Sequence, residues 1–136
     1  LGGLLSKTDF ETWSLPYLSQ ITAAIQQEAP VILFAKGAWQ SLPDMANTGA
    51  RGLGIDWCIE PETARKLAGK DIALQGNFDP SKLLLPIPEL KKEVERMLTR
   101  FGTDCWIANL GHGILPNIPV DHARAFVETV KNFERK

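Results

Sequence analysis

Apolar residues along the chain switch repeatedly between two spacings. Short unbroken apolar runs occur at Val31–Ala35, Leu53–Ile55, Ile72–Leu74 and Cys105–Leu110. Runs that stay apolar instead of alternating fit strands buried on both faces, as in parallel sheets, although any single one also suits a buried helix segment. Four such runs, each closed by glycine or a polar residue, predict four strands.

Between the runs the spacing becomes helical. Leu90, Val94, Met97, Leu98 and Phe101 share one helix face, with Lys91, Lys92, Glu95 and Arg96 opposite and Pro88 suited to the first turn. Ala123, Phe126, Val127, Val130 and Phe133 repeat the pattern after Pro119. A shorter helix starts at Pro61, carries Ala64, Leu67 and Ala68, and stops at Gly69. Another spans residues 41–47 and ends before Gly49. Upstream, Ser14 is expected to cap a helix with Leu18, Ile21 and Ile25 facing inward, closing before Pro30.

The order is a leading helical segment over residues 1–30, then four strand–helix units over 31–136, with no linker dividing them. Such alternation implies an α/β fold with a parallel sheet. Units of about 26 residues are short but workable, whereas a whole (β/α)8 barrel takes about 250 residues. Half of such a barrel fits the pattern, and so does a small open doubly wound sheet.

Composition narrows the function classes. The chain has 136 residues, 44% of them hydrophobic, which argues against disorder. Fifteen Lys and Arg against 16 Asp and Glu leave a net charge of −1, so no nucleic-acid binding through bulk positive charge is expected. No apolar run reaches the roughly 18 residues of a membrane span, and no signal-peptide pattern opens the sequence. Two cysteines, Cys58 and Cys105, make no disulfide framework, so a reducing cytoplasm is the expected compartment.

Reactive residues of parallel α/β folds gather where strands end. Those positions here read Lys36-Gly37, Asp56-Trp57-Cys58, the stretch from Gln75 to Pro80, and the stretch from Asn109 to Gly113. His112 is the strongest individual candidate, because Gly111 and Gly113 on either side let backbone and ligand approach closely. His122 reads as a solvated or capping residue. Asp56 suits a general base, a helix cap or a partner for Lys36 equally well. Cys58 and His112 could form a thiol–imidazole pair only if the fold brings them together. Positions 58, 105, 112 and 122 lack compact zinc spacing, so no metal site is expected. Gly52-Leu53-Gly54 has no third glycine of a dinucleotide fingerprint. The four tryptophans, Trp13, Trp39, Trp57 and Trp106, read as packing residues.

Taken together, the rim segments resemble the uroporphyrinogen decarboxylase family. The run Asn109-Leu110-Gly111-His112-Gly113-Ile114, with Pro116, Pro119 and Ala125-Phe126-Val127 beyond it, is similar to that family's C-terminal end. Leu74-Gln75-Gly76-Asn77-Phe78-Asp79-Pro80 is similar to its glutamine-glycine-asparagine and Asp-Pro signature. Phe34-Ala35-Lys36-Gly37 and Gly54-Ile55-Asp56-Trp57 match two further segments in the right order, and the passage from Leu1 to Ser6, followed by Ser14-Leu15-Pro16-Tyr17, looks like the family's mid-chain.

The resemblance implies the C-terminal half of a (β/α)8 TIM barrel, four parallel strands each followed by a helix. It also implies a cofactor-free carboxy-lyase of the cytoplasm, usually a homodimer. That enzyme converts the four acetate side chains of uroporphyrinogen III to methyl groups, giving coproporphyrinogen III. By this resemblance His112 contacts the tetrapyrrole substrate, and Lys36 and Gln75 have supporting roles. The family's key aspartate, its substrate-binding arginines, a tyrosine and a serine match no position of this sequence, so no catalytic residue is expected in this half, and Asp56 does not take the aspartate's place. The start at Leu1 instead of methionine agrees with a partial barrel, which alone is expected to be inactive and to associate through open sheet edges. Two alternatives remain at this level. One is a corrinoid-dependent methyltransferase-like barrel, although the His-X-Cys zinc motif of such relatives is absent. The other is a non-catalytic tetrapyrrole-binding remnant.

Overall fold

The computed structural model describes residues 2–102 and 104–134, so Leu1, with which the mid-chain resemblance begins, lies outside the described residues. Helices α1 (Lys7–Trp13) and α2 (Leu15–Ile25) lead the chain. Strands β1 (Ile32–Phe34), β2 (Gly52–Ile55), β3 (Ala73–Phe78) and β4 (Trp106–Leu110) follow, alternating with α3 (Leu42–Ala46), α4 (Pro61–Ala68), α5 (Ile87–Phe101) and α6 (Val120–Lys131). The four strands make one sheet in the order β1-β2-β3-β4, and every neighbouring pair is parallel.

That order separates the two architectures left open by the sequence. A doubly wound sheet reverses its strand order and carries helices on both faces. Here the order runs without reversal and only one face is covered. The register aligns Leu33, Leu53, Leu74 and Trp106 across the sheet, and the first three are buried beneath the helices. The next row, Phe34, Gly54, Gln75 and Ile107, belongs to the other face, where Ile32, Phe34 and Ile107 are exposed. One-sided covering of a sequential parallel sheet is the geometry of a barrel sector. The expectation of strands buried on both faces therefore holds for β2 but not for β1 or β4, which alternate between covered and open positions.

Two apolar clusters fill the covered side. Phe10, Leu42, Met45, Leu53 and Leu74 centre the first, beneath α3 and α4. Phe78, Leu83, Leu90, Val94 and Phe126 centre the second, where α5 packs against α6. Gly69 and Gly102 end α4 and α5 with φ of +85° and +68°, values at which a side chain is strained.

The leading segment departs from the single Ser14-capped helix expected of it. Ser6 caps α1, its hydroxyl accepting the Asp9 N–H, whereas the Ser14 side chain makes no capping bond and its own N–H donates to the Phe10 carbonyl. Phe10 anchors the segment in the core, and α2 buries Thr22. Trp13, Tyr17, Ile21 and Ile25, spaced four apart, are exposed. The packed face of α2 is made by Leu15, Leu18 and the buried Thr22. The tryptophans also differ from expectation: Trp13, Trp39 and Trp57 are exposed, while Trp106 is stacked on Phe101 at 4.5 Å. Among the described residues no helix is long and apolar enough to cross a membrane.

At the end of the sheet where the strands begin, Arg65 acts as a clamp. Its guanidinium donates to the carbonyls of Gly69 (3.0 Å), Ile72 (2.7 Å) and Cys105 (2.8 Å). Cys105 thus lies at the structural end, opposite the rim.

Candidate functional site

Four loops leave the carboxyl ends of the parallel strands on the same edge of the sheet, and they are tied to one another. The Gly37 N–H donates to Asp56 Oδ2 at 2.6 Å, and the Cys58 N–H donates to Asp56 Oδ1 at 2.9 Å. The Gly111 N–H donates to the Phe78 carbonyl at 2.7 Å. A Cβ on Gly111 would stand 2.9 Å from the Asp56 Cα and 3.0 Å from the Trp57 Cε3, so glycine is needed for the loop after β4 to lie against the loop after β2.

These bonds define the role of Asp56. The residue is only 4% exposed, and both carboxylate oxygens accept backbone N–H groups. Of the three readings the sequence left open, the contacts favour none: Asp56 ties the loop after β1 to the loop after β2. Lys36 does not pair with it, because the Lys36 ammonium lies over the Trp57 ring, 5.1 Å from its centroid.

His112 is exposed at the rim, and its ring centroid is 6.3 Å from that of Phe34, with the planes tilted by 55°. The contact places the imidazole over the open face of the sheet. Phe34 is 47% exposed and reaches across β2, where a Cβ on Gly54 would come within 2.9 Å of its ring. Likewise Ile32 lies 3.2 Å from the position of a Gly52 Cβ. The glycines of Gly52-Leu53-Gly54 therefore make room for two β1 side chains on the open face. Gln75 shares the row of Phe34 and Ile107 on that face and is half-buried.

The remaining candidates separate. Desolvation, and then the Asp56 carboxylate, push the Cys58 thiol above its ordinary pKa, which runs against a nucleophilic thiolate. His122 is half-buried, and its Nδ1, 2.6 Å from the Leu83 carbonyl, joins α6 to the turn after β3. Among the described residues no three His, Cys, Asp or Glu side chains cluster as metal ligands. Asn77 is buried and donates to the Ile59 carbonyl at 2.7 Å, and Asp79 accepts the Ser81 N–H at the start of a short turn, so both organise loops. Trp57 stands in a rim segment named from the sequence but reads there as a packing residue, and Phe34 does not read as part of the rim. The signal for Phe34 was its place two residues before Lys36.

Comparison with known proteins decides the family. The profile described as uroporphyrinogen decarboxylase matches residues 1–133. The chain belongs to the uroporphyrinogen decarboxylase family. A relative named uroporphyrinogen decarboxylase from Flavobacterium johnsoniae is 52% identical over 132 residues, covering 97% of this chain and 39% of the relative. One of the same name from Christiangramia forsetii is 51% identical over 133 residues, covering 98% of this chain and 39% of the relative. The chain thus spans about two-fifths of the length of the curated relatives it matches. Among solved structures, a methyltransferase from Methanosarcina mazei superposes with a TM-score of 0.78 at 24% identity, covering 93% of this chain and 37% of that one. At that identity the likeness shows the fold alone, and it agrees with the one-sided sheet: the chain is part of a (β/α)8 barrel.

Proposed function

We propose that this chain is the C-terminal part of a uroporphyrinogen decarboxylase, and that its rim binds the tetrapyrrole whose acetate arms lose carbon dioxide. The observation that carries the reading is His112 standing over Phe34, at the carboxyl edge of a sheet whose inner face is open and apolar. Decarboxylation of this kind needs an electron sink, which the pyrrole becomes when protonated at carbon. The protein's task is then to hold a polyanionic macrocycle and favour the charge that develops on it. The inner face supplies an apolar floor through Ile32, Phe34 and Ile107. His112 supplies a hydrogen bond at the edge of that floor, and Asp56 holds two of the loops in place. No group here takes a catalytic part in the chemistry. Those groups belong to the rest of the barrel, and the complete enzyme works without a cofactor, in the cytoplasm, as a homodimer.

The test is reconstitution. The chain is co-expressed with the unmatched portion of the Flavobacterium johnsoniae relative, and conversion of uroporphyrinogen III to coproporphyrinogen III is followed anaerobically. Turnover is expected only when both parts are present, with His112→Ala lowering kcat/KM by about 10- to 100-fold, the effect of losing a hydrogen bond to a charged group. A reconstituted barrel that binds the substrate but releases no carbon dioxide would replace this reading with that of a non-catalytic binding protein.

A further inference from the structure

Resting on the reading of this rim as a tetrapyrrole site, we propose that Lys36 is a second substrate anchor: its ammonium takes a carboxylate arm of the macrocycle and sets the preference for polycarboxylate ligands. The position of Lys36 carries the argument. It follows Phe34 by two residues at the end of β1, and its Nζ lies over the Trp57 ring, 5.1 Å from the centroid. An aromatic face holds a cation in place without cancelling its charge. Among the described residues no carboxylate lies within ion-pair distance of it. Asp56, the carboxylate of the neighbouring loop, has both oxygens engaged by backbone N–H groups. The three ammonium donors therefore remain available at the rim.

Trp57 links Lys36 to His112. The Trp57 ring edge is 3.0 Å from where a Gly111 Cβ would stand, the next residue is His112, and His112 lies over Phe34. Phe34, His112, Trp57 and Lys36 so form one arc along the ends of β1, β2 and β4. Two aromatic rings make its wall, and two nitrogen groups stand along it. A macrocycle set against the wall brings its peripheral carboxylates to those nitrogens. An ammonium–carboxylate contact at such an edge discriminates by ligand charge, which an aromatic wall alone does not.

The experiment measures dissociation constants by porphyrin fluorescence, with the chain co-expressed and purified together with the unmatched portion of the Flavobacterium johnsoniae relative. Three probes are used: uroporphyrin with eight carboxylates, coproporphyrin with four, and the neutral octaamide of uroporphyrin. Far-UV circular dichroism accompanies each variant. Wild type is expected to bind uroporphyrin tightest and the octaamide weakest. Lys36→Met is expected to bind uroporphyrin about tenfold more weakly while leaving the octaamide unchanged, and Lys36→Arg to stay within about threefold of wild type. Lys66→Met, which removes the same charge from α4, is expected to change nothing. A Lys36→Met chain that keeps the wild-type order and affinities overturns the anchor and leaves the tetrapyrrole reading standing. Equal weakening for all three probes also overturns it, since Lys36 then serves only through its aliphatic stem. Failure of the wild-type reconstituted barrel to bind any of the three overturns the anchor together with the reading beneath it.

Discussion

Asp56 Oδ2 accepts the Gly37 N–H at 2.6 Å, joining the loop after β1 to the loop after β2 through a carboxylate that solvent scarcely reaches. Its other oxygen accepts the Cys58 N–H. Removing the side chain strands two N–H groups at once. Asp56→Ala is expected to lose about 1–3 kcal/mol of stability, read as a lower urea midpoint. Asp56→Asn should fall between, because an amide presents only one acceptor oxygen. A midpoint unchanged in Asp56→Ala would show that the rim does not depend on this bridge.

Arg65 makes the corresponding tie at the other end of the sheet, with donors to the Gly69, Ile72 and Cys105 carbonyls. A planar fork reaches three acceptors that a single ammonium does not. Arg65→Lys is therefore expected to behave much like Arg65→Ala, each costing about 1–3 kcal/mol. Faster amide exchange should appear at Leu74, whose N–H donates to the Cys105 carbonyl. Full stability of the lysine variant would contradict the fork geometry.

The Lys82 ammonium beside Glu93 holds that carboxyl below its ordinary value of 4.5, with a further contribution from Arg96. A carboxyl depressed on folding stabilises the fold above its unfolded pKa, and the contribution disappears as pH falls through the lowered folded value. Stability should therefore drop below about pH 4.5, and Glu93→Gln should show a shallower drop. The partners are partly exposed, so the difference should stay under about 1 kcal/mol. Urea titrations at pH 3, 4 and 6 measure it, and parallel pH profiles for the two proteins would be the contrary result.

Ile32, Phe34 and Ile107 stand exposed on one face of the sheet, while among the described residues no strand pairs with the outer edges of β1 and β4. Open parallel edges beside an apolar face template association. The chain by itself is expected to self-associate in sedimentation velocity at micromolar concentration. Ile107→Lys, which sets a charge on the open face next to the β4 edge, should shift the distribution toward monomer. A compact monomer of the wild-type chain at those concentrations would refute the expectation.

Much of the fold is legible in the sequence. The run from Val31 to Ala35 and the helical spacing from Leu90 to Phe101 located β1 and α5, because burial of a periodic apolar face leaves its period in the sequence. Other features resisted. Nothing local distinguishes Ile21 and Ile25 from core residues; the burial of Thr22 and the packing of Leu15 and Leu18 show which face of α2 turns inward. Gly52-Leu53-Gly54 resembles a truncated nucleotide fingerprint until Phe34 is seen lying across Gly54. Asp56 offered three roles to the sequence, and its two N–H partners, 19 residues upstream and two downstream, settled on a fourth.

What the sequence by itself determined is the alternation of strand and helix, the four loops bearing chemistry, and through the motifs around Gln75 and His112 the family. Those are properties of local spacing and residue type, written one segment at a time. The tertiary structure alone decided that the strands run in sequential order beneath a single helical layer, that Lys36 rests on Trp57, and that His112 stands over Phe34. These are relations between segments far apart in the chain, and they exist only once parallel pairing has set the register.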